Sequence, residues 1–486
     1  MVDNTKSKVL SGLIWKFCER ITAQLISLVV SIILARLLAP GDYGAVALVM
    51  VFITIANVFV SSGLGAALIQ KEDADNLDFS SVFYINIAIS IVLYVIIFIT
   101  APFIADFYDL PVMKPALRVL GIRIIVAAIN SVQQAYVSRN MLFKKFFWST
   151  LFGTLLSGVV GVWMAYAGFG VWALVAQYLT NTCTDTIVLW FTVKWRPDFA
   201  CSWQRAKGLI SFGWKLLVST LLDTGYNQLQ SLIIGKVYTK ENLAYYNQGE
   251  KFPSLIVTNI NASIGSVLFP ALSMEQNNKN TVRLMTRRAI QVSSYVMWPM
   301  MVGLGVCAEP LVRFALTDKW LPCVPYLRVF CFSYGLWPIH TSNLQALNAM
   351  GRSDLFLKLE IIKKAYGLGL LFISLQYGPL AVAFSSVISG IISCFVNAFP
   401  NVKLLNYTYK MQISDMFLPL LMSCVMGACI YPIQFIGFGN GITLILQIVL
   451  GTVTYIVLSL ITKSKTFWYL YGMLNAFRHR KSEQKG

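Results

Sequence analysis

Apolar residues in this chain gather into long runs separated by short polar turns. Fourteen runs can be marked, at 10–37, 43–69, 79–106, 115–137, 146–167, 171–193, 208–236, 248–272, 289–316, 325–349, 355–377, 379–402, 414–436 and 442–462. A helix needs about 20 apolar residues to cross a hydrocarbon core of about 30 Å, and each run meets that length. The breaks carry turn residues, as in Pro40-Gly41-Asp42, Gly168-Phe169-Gly170, Tyr377-Gly378-Pro379 and Gly437-Phe438-Gly439. The pattern predicts an all-α polytopic membrane protein with fourteen transmembrane helices. The N-terminus enters the first span without a small-residue cleavage site, which predicts an uncleaved start.

The two halves of the chain resemble each other. Ser11-Gly12-Leu13-Ile14-Trp15-Lys16 opens the first span and Ser211-Phe212-Gly213-Trp214-Lys215 the seventh; Ala35-Arg36 closes the first and Gly235-Lys236 the seventh. Leu110-Pro111-Val112-Met113-Lys114-Pro115-Ala116-Leu117-Arg118-Val119 matches Leu321-Pro322-Cys323-Val324-Pro325-Tyr326-Leu327-Arg328-Val329 with one gap, and Gln134-Ala135 corresponds to Gln345-Ala346. A repeat of six spans, an even number, makes the copies parallel and related by an axis along the membrane normal. The expected organisation is two pseudo-symmetric six-helix lobes, 1–200 and 201–404. Two extra helices and an amphipathic interfacial tail follow over 405–486.

Composition narrows the class. Hydrophobic residues make up 57% of the 486 and charged residues only 12%, against roughly 25% charged in soluble domains, so an ordinary globular enzyme is excluded. Two histidines, His340 and His479, leave no His-based metal site, and no cofactor is expected. A net charge of +18 would point to nucleic acid in a soluble protein. Here 24 basic residues fall in or close to one set of alternate loops with both termini, against 6 in or close to the other. That asymmetry places both termini in the cytoplasm and accounts for most of the charge without nucleic acid. The loops are too short to hold a catalytic domain.

Ionisable groups inside spans cost at least ~2.5–3.5 kcal/mol at the bilayer centre and normally face a bundle interior or wet cavity. In the first span Lys16, Glu19, Arg20, Gln24, Ser27 and Ser31 share one helical face; in the seventh Lys215, Ser219, Asp223, Asn227 and Gln230 recur every three or four residues. The second span adds Asn57, and the fourth adds Arg123, Asn130 and Gln134. Basic groups inside spans (Lys16, Arg20, Arg118, Arg123, Lys215, Lys251, Arg328, Lys363 and Lys364 among them) outnumber acidic ones (Glu19, Asp185, Asp223, Glu250, Glu309 and Glu360 among them). A cationic lumen suits an anion, and arginine offers a planar fork for phosphate oxygens.

The substrate-binding candidates are therefore Lys16, Arg20, Arg123, Lys215, Asn57, Asn130 and Gln134. Glu19, Asp223 and His340 are candidates for coupling to H+ or Na+. Other readings stand beside these: Lys16, Lys251, Arg118 and Arg328 snorkel to an interface, Lys16–Glu19 and Glu360–Lys363/Lys364 form structural ion pairs, Asp223 pairs with Lys215, and His340 is a hydrogen-bonded packing residue. The apolar face Phe467, Leu470, Tyr471, Leu474 and Phe477, followed by Arg478, His479, Arg480 and Lys481, predicts a helix lying on the anionic inner leaflet.

Several motifs carry a family resemblance. Ser11-Gly12 with Trp15, then Leu34-Ala35-Arg36-Leu37, Tyr43-Gly44 and Gly63-Leu64-Gly65-Ala66-Ala67-Leu68-Ile69-Gln70, resemble the opening of bacterial Wzx-type oligosaccharide flippases. Tyr245-Tyr246-Asn247, Val267-Leu268-Phe269-Pro270-Ala271-Leu272 and Asp318-Lys319-Trp320-Leu321-Pro322 are similar to that family's second-half motifs. The resemblance covers about residues 8–400. It implies the polysaccharide-transporter branch of the superfamily that also holds multidrug extruders and lipid II flippases, which remain alternatives. It further implies movement of an undecaprenyl-pyrophosphate-linked sugar repeat to the outer leaflet of a bacterial plasma membrane. A monomer near the polysaccharide polymerase machinery is expected, and the resemblance to several ion-coupled members implies coupling to an ion gradient.

Overall fold

A computed structural model describes residues 2–71 and 73–483 of the chain. Every expected span coincides with a helix or a broken pair of helices. The first half runs α1 (Val2–Leu37), α2 (Pro40–Ser61), α3 (Leu64–Gln70), α4 (Asn76–Phe107), α5 (Met113–Arg139), α6 (Phe143–Tyr166) and α7 (Val171–Thr192). The second runs α8 (Trp203–Val237), α9 (Lys240–Met274), α10 (Lys279–Val306), α11 (Ala308–Ala315), α12 (Val324–Gly335), α13 (Trp337–Ala349), α14 (Ser353–Ser374) and α15 (Pro379–Leu405). Then follow α16 (Tyr409–Ile430), α17 (Asn440–Ile461) and α18 (Lys465–Glu483). Among the described residues, ten stretches are long and apolar enough to cross a membrane by length and composition alone. The other four expected spans coincide with α7, α8, α12–α13 and α14.

Helix starts in the two halves of the sequence run α1 and α8 at 2 and 203, the next helices at 40 and 240, then 76 and 279, 113 and 324, 143 and 353, 171 and 379. Three expected spans are broken rather than continuous: the second at Ser62–Gly63, the ninth at Cys307 and the tenth at Leu336. The tenth breaks because Pro338 starts a new helix and donates no backbone N–H to the turn before it. The contacts group the chain into two compact units, Met1–Ala244 and Tyr245–Gly486, so α8 packs within the first unit although it heads the second sequence copy.

Local chemistry sets the helix ends. Asp75 caps α4, its carboxylate accepting from Asp78 N at 3.0 Å, while Asp78 Oδ2 accepts from Asp75 N at 3.1 Å. Asn278 caps α10 and Thr408 caps α16 in the same manner. Between α2 and α3 the chain turns at Gly63, whose φ of +93° is the left-handed region that favours glycine.

In the first unit, α6 packs against α1 and α7, α5 against α2, α4 and α7, and α8 against α2, α3 and α4. Phe79, Phe83, Trp195 and Leu68 are buried at the heart of one apolar cluster. In the second, α10 packs against α16, α12 and α13, and α15 against α12, α13 and α14; Trp298, Ile339 and Tyr407 are buried together. A neutral clasp ties α13, α15 and α16: Asn343 Nδ2 donates to Gln412 Oε1 and Asn401 Nδ2 to Asn343 Oδ1, each at 2.8 Å.

The outer surface is the apolar one. On α4, Val92, Ile96, Ile99 and Phe103 are exposed at helical spacing, while Asn86 and Ser90 on the same helix are buried. Polar groups inward and aliphatic groups outward is the arrangement a lipid solvent imposes. The chain is a multi-pass membrane protein.

Candidate functional site

Arg123 stands where α2, α5 and α7 meet. Its Nε donates to Thr182 Oγ1 at 2.7 Å, its Nη1 lies 3.8 Å from the Met50 sulfur, and its guanidinium sits 5.8 Å from the centre of the Tyr178 ring. A guanidinium has five N–H donors, and Thr182 supplies its only oxygen acceptor among the described residues. The group is half-buried with donors to spare, which is the condition for receiving an anionic oxygen.

Two turns along α5, Asn130 is buried and donates to Asp185 Oδ2 at 2.6 Å; its own Oδ1 has no hydrogen-bond partner among the described residues. Asn57 on α2 is half-buried, and its Oδ1 also has no hydrogen-bond partner among the described residues. Asn181 on α7 donates to Ser157 Oγ on α6 at 3.4 Å. The first unit thus contains a polar seam running through α2, α5, α6 and α7. Gln134, on the same helix as Arg123, is exposed.

The α1 face is organised differently. Lys16 Nζ pairs with Glu19 Oε2 at 2.9 Å and lies 4.7 Å from the Phe146 ring centre, and Thr150 donates to Glu19 Oε1 at 3.2 Å. This is the ion-pair arrangement, so Lys16 and Glu19 largely satisfy each other. Arg20, one turn from Lys16, is exposed and makes no hydrogen bond or ion pair with the described residues. On α8, Lys215 is exposed without a carboxylate in ion-pair range among the described residues, while exposed Asp223 accepts from Asn227 Nδ2 at 3.3 Å.

In the second unit, His340 on α13 has its Nδ1 3.1 Å from Asn397 Nδ2 and its Nε2 3.7 Å from the Cys394 sulfur, both on α15. Its ring is thereby held between two neutral partners, the packing arrangement. Lys363 and Glu360 pair at 2.5 Å on α14. Glu250 on α9 accepts from the Tyr334 hydroxyl at 2.5 Å.

Sequence reasoning missed the most fully bonded charge pair. Arg287 meets Asp415 at two points, Nε to Oδ2 at 2.8 Å and Nη2 to Oδ1 at 2.9 Å; Gln291 Nε2 and the Tyr407 hydroxyl also donate to that carboxylate, at 2.7 and 2.8 Å. Arg287 sits in the positive stretch before a span and reads as a topology signal, while Asp415 begins the thirteenth span. The available signal was that a carboxylate at that depth requires a partner.

A family model described as polysaccharide biosynthesis protein matches residues 33–325. The chain belongs to that family. The chain is similar to the teichuronic acid biosynthesis protein TuaB of Bacillus subtilis (strain 168), at 25% identity over 86% of this chain and 88% of that one. It is also similar to the succinoglycan biosynthesis transport protein ExoT of Rhizobium meliloti (strain 1021), at 25% identity over 92% of each. The lipopolysaccharide biosynthesis protein WzxC of Escherichia coli (strain K12) is 21% identical over 86% of each chain. Among solved structures, the lipid II flippase MurJ in its inward closed conformation superposes with a TM-score of 0.74 at 18% identity, covering 93% of this chain and 98% of MurJ. An inward-facing multidrug resistance MATE family transporter gives 0.64 at 16% identity, covering 80% of this chain and 96% of that one. The family member has the fold these two share.

Proposed function

We propose that the protein flips an undecaprenyl-pyrophosphate-linked oligosaccharide repeat unit from the cytoplasmic to the outer leaflet of a bacterial plasma membrane, by alternating access, for surface polysaccharide synthesis. It is a transporter, not an enzyme. Membership of the polysaccharide biosynthesis family supports the substrate class. The observation that carries the reading is Arg123, half-buried in the first unit with one oxygen acceptor among the described residues for five donors. A multidrug cation extruder calls for acidic groups at that depth, whereas this chain places a guanidinium there.

In this reading Arg20, Arg123 and Lys215 receive the pyrophosphate, with Lys16 held by Glu19 until a stronger anion competes for it. Asn57, Asn130 and Gln134 offer amides to sugar hydroxyls. Asp223, Glu19 and His340 are the groups through which H+ or Na+ would couple, and the protein works as a monomer in proximity to the polymerase machinery. Both termini lie in the cytoplasm, as the bias of basic loops requires.

The test is complementation of a strain lacking its polysaccharide flippase, with surface polysaccharide and accumulated lipid-linked intermediate as paired readouts. Wild type is expected to restore polysaccharide and clear the intermediate, and Arg123→Ala to leave the intermediate inside at equal expression. Full restoration by both Arg20→Ala and Arg123→Ala would remove them from the site.

A further inference from the structure

We propose that the second unit holds a specific site for an anionic phospholipid between α9, α10 and the C-terminal helix α18. A cavity of 1090 Å³ lies there. Its walls are largely aliphatic, with Ile264, Val267 and Leu268 from α9, Val292 and Val296 from α10, and Leu470 from α18. Two of the hydroxyls that line it are already used: Ser263 donates to Asn259 O at 2.9 Å and Ser293 to Ala289 O at 2.5 Å. Most of the remaining wall is a surface for hydrocarbon.

One end of this groove is cationic. Arg287, Arg288 and Lys465 all line it. Arg287 is neutralised by its two-point pairing with Asp415. Arg288 has no ion pair among the described residues, and its guanidinium is held 4.2 Å from the centre of the Tyr469 ring on α18. Lys465 is exposed at the first residue of α18. An apolar trough ending in two uncommitted cations matches an amphiphile with acyl chains and a phosphate headgroup, and the cations favour an anionic headgroup over a zwitterionic one. The aromatic ring beneath Arg288 orders that guanidinium before any ligand arrives.

This site is independent of the flipping reading, because binding is measured on purified protein whether or not it transports. The experiment is native mass spectrometry of the full-length protein in detergent, titrated separately with phosphatidylglycerol, phosphatidylcholine and undecaprenyl phosphate. Wild type is expected to retain one phosphatidylglycerol at activation energies that strip phosphatidylcholine. Arg288→Ala with Lys465→Ala should weaken phosphatidylglycerol binding roughly tenfold or more, whereas Arg288→Lys with Lys465→Arg should preserve it in protein of equal thermal stability. Val292→Trp, which fills the trough and leaves the charges in place, should also abolish it. Equal phosphatidylglycerol binding by wild type, the double-alanine variant or Val292→Trp would overturn the proposal, as would loss of binding in a stable charge-conserving variant. Tighter, variant-sensitive retention of undecaprenyl phosphate would assign the groove to the polyprenyl carrier and equally overturn it.

Discussion

Gly63 and Gly213 meet backbone to backbone. A Cβ added to Gly63 would stand 2.6 Å from the carbonyl oxygen of Gly213, and one added to Gly213 would stand 2.8 Å from the carbonyl carbon of Gly63. Neither obstacle is a side chain that can rotate away. The break between α2 and α3 and the first third of α8 therefore depend on two missing methyl groups.

Gly213→Ala is expected to separate α8 from α3, lowering the thermal unfolding midpoint of the purified protein by several degrees and reducing transport. Gly63→Ala should be worse, because it adds a left-handed φ of +93° to the same clash. Gly65, where an added Cβ meets nothing within 4 Å among the described residues, provides the control, and Gly65→Ala should leave the midpoint unchanged.

Asp415→Ala would leave Arg287 without its carboxylate and the Tyr407 hydroxyl and Gln291 amide without their acceptor. Removing one partner of a charged hydrogen-bond network costs about 2–3 kcal/mol, so a clear drop in thermal stability is expected. The charge exchange Arg287→Asp with Asp415→Arg should recover part of it. Equal stability of Asp415→Ala and wild type would show that the network holds nothing together.

For Arg123 the contrast lies between charge and shape. Arg123→Lys keeps the charge and loses the planar fork, so transport of a diphosphate-bearing lipid should fall about tenfold or more. Thr182→Val removes the 2.7 Å acceptor and is expected to reduce transport less, by letting the guanidinium wander. The rate at which lipid-linked intermediate leaves the inner leaflet measures both.

Acid should reach one surface cluster late. The Arg205 guanidinium, hydrogen-bonded to Asp75 at the start of α4, holds that carboxyl down at about 2. Because the folded value lies below the ordinary carboxylate value near 4, the stabilisation is complete above pH 4 and disappears as pH falls through 2. The stability difference between wild type and Arg205→Ala should therefore be flat from pH 8 to 5 and shrink only below 4. A difference that vanishes by pH 6 would contradict this assignment.

Much of the fold was legible because the lipid phase demands long apolar runs, and run length survives without any knowledge of neighbours. The internal similarity rests on residues alone, as in Trp15-Lys16 and Trp214-Lys215, while packing assigns α8 to the first unit. The break at Leu336 was hidden: Pro338 inside an apolar stretch reads equally well as a kink or as a new start. Pairing between helices was the least accessible layer. A stripe on α5 shows that Arg123 and Asn130 face the same way, but Thr182 and Asp185 become their partners only once α7 is packed alongside. Arg287 illustrates the converse, since a basic residue before a span carries a topology signal strong enough to conceal a structural bond.

The amide clasp of Asn343, Asn401 and Gln412 has a bearing on how the molecule answers its surroundings. Three carboxamides bind one another with no ionisable atom among them, so neither acidification nor ionic strength can loosen that junction, and a transmembrane voltage finds no net charge there to pull. The tie among α13, α15 and α16 at this point is electrically silent, and a charge on α16 sits instead at Asp415, where Arg287 answers it.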